Sequence, residues 1–197
     1  MKWFNNLRVA VKVAIGCGLF IVLIVVITLM SNYMLNVTTH DFNTFYADRF
    51  IPVKDLNQIQ KNLLQMRINM LQEQIAAEHG DFQTVKERME YSQRLAEEYQ
   101  KLWNGYMETK LTEKEEQLAN KFHEEVTATA AVRHQFAEAI NQRRINDALR
   151  LSKKWLEGYN KVKATMNDLI NLQVEVGQEL KSEAETMASM LLNVLFG

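Results

Sequence analysis

Apolar positions recur in steps of three and four over most of the chain. Leu56, Ile59, Leu63, Met66 and Met70 make one stripe, and Phe82, Val85, Met89, Ser92, Leu95 or Ala96, Tyr99, Trp103 and Tyr106 make a second. Leu118, Phe122, Val126, Thr129, Val132, Phe136 and Ile140 make a third. The cleanest is the fourth, Trp155, Tyr159, Val162, Met166, Leu169, Gln173, Val176 and Leu180, which continues to Met187, Met190 and Val194. Each set falls on one face of an α-helix. Between the stripes stand turn signals. Gly80 in "EHGD" can take the left-handed cap conformation and Asp81 can cap the next helix. In "TEKE", Thr112 and Glu115 have the spacing of a capping box, and a break follows around "NQRRIND". The pattern predicts helices over 31–78, 82–108, 113–141 and 145–186. Pro52 either kinks the first of these or marks its first well-packed turn.

Ahead of the stripes the pattern changes. From Val13 to Met30 no charged residue occurs, and Val9 to Val11 extend the run across Lys12. Residues 9–30 therefore read as a retained transmembrane helix, favoured over a cleaved signal because "LMSNYM" offers no pair of small residues for cleavage. Lys2, Arg8 and Lys12 precede the run and Asp41 and Asp48 follow it, so residues 1–8 are expected in the cytoplasm and residues 31–186 outside. At the other end Met187 to Gly197 is uncharged but too short to cross about 30 Å of hydrocarbon as a helix. It reads as the start of a truncated second transmembrane helix, with an interfacial amphipathic end as the alternative.

One proline and seven glycines in 197 residues fit long helices rather than strands joined by turns. The expected fold is all-α: a membrane-anchored antiparallel up-down-up-down four-helix bundle with coiled-coil-like packing. Lys plus Arg (23) nearly balances Asp plus Glu (24), so no basic field draws nucleic acid. The single cysteine, Cys17, excludes a disulfide framework within one chain. At about 1.5 Å per residue, Arg67 lies roughly 18 Å below the tip formed by the loops at His79–Asp81 and Arg143–Asn146. The same counting brings Trp155 to Tyr159 to its level.

The segments "NLRVAVKVAIGCGLF" and "DRFIPVKDLNQIQKNLLQMRINML", followed by three more helices, resemble the sensor region of methyl-accepting chemotaxis proteins, bacterial transmembrane chemoreceptors. The resemblance covers essentially the whole chain. It implies a homodimer in the inner membrane, with the bundle in the periplasm and small ligands bound near the dimer interface between first and last helices. It also implies that Arg67, in "LLQMRIN", occupies the place of an arginine that contacts a ligand carboxylate. Two further arginines of the amino-acid receptors stand here as Gln72 and Ala76, which argues against an aspartate-type ligand. Such receptors continue into a cytoplasmic linker and a methylated signalling hairpin, and this sequence ends before either.

The candidate ligand-binding residues are Arg67, Trp155, Tyr159 and Arg150. A guanidinium on a helix face receives a carboxylate bidentately; its plainer role is to flank the apolar stripe with its stem packed and its charge in water. Trp155 and Tyr159 can wall a ligand or simply fill the core. Arg150, with Lys153 and Lys154, adds positive charge that either favours an anion or is a solvated face. His40, His79, His123 and His134 include no Glu-x-x-His pair and none lies on the fourth helix, so no metal or other cofactor is expected. No phosphate loop or nucleophile elbow occurs, so no enzyme is expected. Gln173, polar on an inward stripe, either fixes register or dimer pairing, or sits partly exposed. The expected partners are a small carboxylate or amino acid, lipid around the anchor and a second copy. The alternatives are recognition of a periplasmic partner protein at the tip, or service as the input domain of a histidine kinase or cyclase.

Overall fold

The computed structural model describes residues 8–196. The cytoplasmic stretch expected at residues 1–8 lies outside them except for Arg8, as does Gly197. Five α-helices follow in order: α1 (Val9–Phe45), α2 (Ile51–Glu78), α3 (Phe82–Met107), α4 (Glu113–Asn141) and α5 (Ile145–Phe196), with a wide π-helical turn at Tyr46–Phe50 before α2. The fold is all-α, and the last four helices form a four-helix bundle.

The chain divides into two compact units, residues 1–45 and 46–197. In the first, α1 exposes its apolar side chains along its length, from Val9 through Leu23 and Ile24 to Leu35. By length and composition, the helical stretch beginning there is the one among the described residues able to cross a membrane. The helix expected over 31–78 comprises the end of α1, the π-helical turn and α2, and the second compact unit begins at Tyr46. Pro52 explains the wide turn. It has no N–H to return to the carbonyl four residues back, and its ring crowds that carbonyl, so the preceding turn opens. Pro52 itself is buried at the start of α2.

The caps hold as the sequence predicts. Gly80 takes φ +77°, and Asp81 accepts from the Thr84 N–H at 3.1 Å and its hydroxyl at 2.7 Å. Those bonds, the side-chain one first, hold the Asp81 carboxyl below its ordinary value. Thr112 and Glu115 close a capping box at the start of α4. The turn before α5 carries Arg143 in the left-handed conformation, φ 58°, with its guanidinium 4.7 Å from the Phe82 ring centre.

Backbones approach closely between α2 and α3, α4 and α5, and α2 and α5. Gly158 permits one such approach, since a Cβ there would stand 2.5 Å from Thr129 Oγ1. The α3–α4 pair is bridged instead by rings: Trp103 and Phe122 have centroids 4.7 Å apart, and Tyr99 and Phe122 6.3 Å. The apolar interior forms two clusters. One, toward the turns at residues 79–81 and 142–144, holds Met70, Val85, Phe136, Ile140, Trp155 and Tyr159. The other, toward Tyr46, holds Leu56, Ile59, Trp103, Phe122, Met166 and Leu169. Leu63 borders both. Burial along the α5 stripe ends at Gln173; Leu180, Met187 and Met190 are exposed.

Candidate functional site

Arg67 is half-buried on α2, and its guanidinium carbon lies 5.5 Å from the centre of the Tyr159 ring. Tyr159 stacks in turn on Trp155, one turn away on α5, with centroids 5.4 Å apart and planes 21° from parallel. Both rings are buried. The guanidinium therefore sits on an aromatic face, which stabilises a cation by about 0.5–2 kcal/mol without using its N–H donors. Among the described residues no carboxylate pairs with Arg67, and its donors remain free for another partner.

Those donors border a groove of about 310 Å3 between α2 and α5. Met70, Gln74 and Glu78 line it from α2, and Ser152, Lys153 and Trp155 from α5. Its polar floor is already bonded: the Ser152 hydroxyl reaches Gln74 Oε1 at 2.9 Å, and the Gln74 amide donates to Glu78 at 3.2 Å. Arg67 and Lys153 against Glu78 leave the groove net positive. Arg150 does not line it. Its side chain is exposed and pairs with Asp147 at 3.1 Å.

A line of exposed apolar residues on α2, Leu64, Ile68, Leu71 and Ile75, runs along the groove, and Leu71 also lines it. Their steps of four, three and four repeat the heptad spacing of the buried face. A larger open groove of about 600 Å3 between α4 and α5 is lined by Lys114, Lys121, Asp168 and Glu175. Its charges cancel and it has no aromatic wall, so it offers less to a small anion.

Two buried polar clusters lie inside the bundle. Toward the turns at residues 79–81 and 142–144, Glu73 of α2 is fully buried and accepts from Arg133 of α4 at 2.6 Å. The Ser92 hydroxyl of α3 approaches the same oxygen at 3.5 Å and accepts from the Asn69 amide at 3.1 Å. Burial pushes the Glu73 carboxyl up to about 7 against the pull of Arg133. Nearer Tyr46, Arg49 reaches Glu115 at 2.8 Å and Gln173 at 3.4 Å, and the Gln173 amide lies 3.5 Å from the Tyr106 hydroxyl. Gln173 is thus an interior amide, not a partly exposed one.

Sequence reasoning missed Glu73, Arg133, Arg49 and the inward role of Glu115. For Glu73 a signal existed. It continues the α2 stripe three residues beyond Met70 and four before Ala77, both buried. Among the described residues no three potential metal ligands converge.

A family model described as a four helix bundle sensory module for signal transduction matches residues 6–188. No curated protein matches the chain.

Proposed function

The chain belongs to the family of four-helix-bundle sensory modules of the chemoreceptors, and from that premise we propose that it binds a small anion between α2 and α5 at Arg67. The module is a membrane-anchored part of a signal-transduction receptor. In the proposed arrangement α1 crosses the inner membrane with the bundle in the periplasm, and two copies pair along Leu64, Ile68, Leu71 and Ile75. This pairing places Arg67 and its groove at the edge of the dimer seam.

The observation that carries this reading is Arg67 itself, a guanidinium held on the Tyr159 ring with no carboxylate partner among the described residues. A carboxylate or similar anion supplies the missing acceptor, and Trp155 walls the side away from solvent. The groove is shared by α2 and α5, so a ligand that fits one offset of these helices better than another shifts the balance between the two. That displacement is the signal.

The full chain in lipid nanodiscs, heated with a panel of small carboxylates and amino acids, tests the proposal. At least one compound is expected to raise the unfolding temperature. Its affinity should fall by about tenfold or more in Arg67→Ala and by less in Arg67→Lys, as loss of a charge-assisted bond predicts. A panel without effect, or one whose effect is the same in Arg67→Ala, refutes the site.

A further inference from the structure

We propose that Glu73 is a proton-binding site inside the bundle, within the cluster nearer the turns, and that protonation there releases α4 from α2 by weakening the Arg133–Glu73 pair. The ligand is the proton, and the site does not rest on the Arg67 reading.

The geometry supplies the argument. Glu73 is fully buried, its Oε1 takes the Arg133 bond, and its Oε2 is buried with no hydrogen-bond partner. A lone buried ion pair leaves both charges short of the hydrogen bonds that water would give, and the penalty can exceed the attraction. Arg133 has its own buried, unpartnered Nη1. The groups that face the carboxylate are few: Ser92 from α3, with Asn69 of α2 behind it, and Arg133 from α4. Among the described residues, helix α5 contributes neither a hydrogen bond nor a charge to it. One cation therefore opposes the cost of burying the anion.

A proton from solvent resolves the conflict. It neutralises the carboxyl, and the charge-assisted bond at Oε1 becomes an ordinary one. Arg133, whose side chain is 20% exposed, can then carry its charge toward water along its flexible stem. The shift of the carboxyl from 4.5 to about 7 agrees with this picture and sets the window. Between those values the folded chain holds a proton that the unfolded chain has lost. The stability contributed by Glu73 is complete below 4.5 and is lost as pH rises through about 7.

The test follows the full chain in nanodiscs from about pH 5 to about pH 8 by thermal unfolding and by the infrared carbonyl band of protonated carboxyls. The wild type should lose unfolding temperature as pH rises, and a carbonyl band should titrate near neutrality. Glu73→Gln should lose that band, and its slope should differ from the wild type by close to one proton per molecule. Contributions from all other groups are common to both proteins, so the difference isolates Glu73. If Glu73→Gln does not fold, Glu73→Met combined with Arg133→Met removes both charges and fills the space, and must lose the same proton. A band or slope that survives in the folded variant overturns the proposal. Neither measurement involves the groove, so failure at Arg67 and failure at Glu73 are separate results.

Discussion

Gly158 shows how a single position sets the distance between two helices. A Cβ added there meets Thr129 Oγ1 at 2.5 Å, and that hydroxyl donates to the Glu125 carbonyl at 2.7 Å. Thr129 would have to give up its bond and rotamer, or α5 would have to move off α4. Gly158→Ala is therefore expected to cost about 1–3 kcal/mol in thermal or denaturant unfolding. Adding Thr129→Ala should recover most of the loss; an additive double variant would show that the crowding is not between these two side chains. Nothing in the residue pattern points to Thr129 as the neighbour, because a helical glycine reads only as a weak helix former. Arg67 was more accessible to sequence reasoning. Counting helical rise placed it level with Tyr159, and the structure puts guanidinium and ring 5.5 Å apart, since α2 and α5 run without a break between the turns and these residues.

At the scale of elements, α3 was the easiest to read. Its inward positions are large and aromatic, and the predicted stripe from Val85 to Tyr106 matches the buried face apart from the partly exposed Met89 and Ala96. Helix α2 was harder, because Asn62, Asn69 and Glu73 point inward while Leu64, Ile68, Leu71 and Ile75 point out. Binary patterning assigns those two sets the wrong way round, and tertiary partners decide the matter. The same difficulty hid the Arg49 cluster, where a π-turn residue, the third residue of α4 and the middle of α5 meet. Glu115 is fully buried, and Arg49 is its only cationic partner among the described residues. Arg49→Ala should leave that charge uncompensated and cost about 3–5 kcal/mol. Glu115→Gln added to it should restore part of the loss in the same unfolding measurement; no restoration would assign the role of Arg49 to packing.

For the whole molecule, the proposed pairing of two copies makes a direct demand on α2. With Cys17 replaced by serine, single cysteines at positions 64, 68, 71 and 75 should cross-link between copies in nanodiscs, while cysteines on the exposed face of α4, such as position 127 or 131, should not. Equal cross-linking at both faces would remove the seam from the proposal. The two interior clusters carry a different consequence. Each has its own rings and aliphatic residues; between them lie Asn62, Asn69, Ser92 and Thr129 with Leu63 bordering both, while the Glu73–Arg133 pair is set within the cluster nearer the turns. Such a division favours two units of local opening rather than one. On the proposed reading, the half that holds the Arg67 groove can open to a ligand while the half beside Tyr46 stays shut, so that one bundle would be pliant at its proposed site and rigid beyond it.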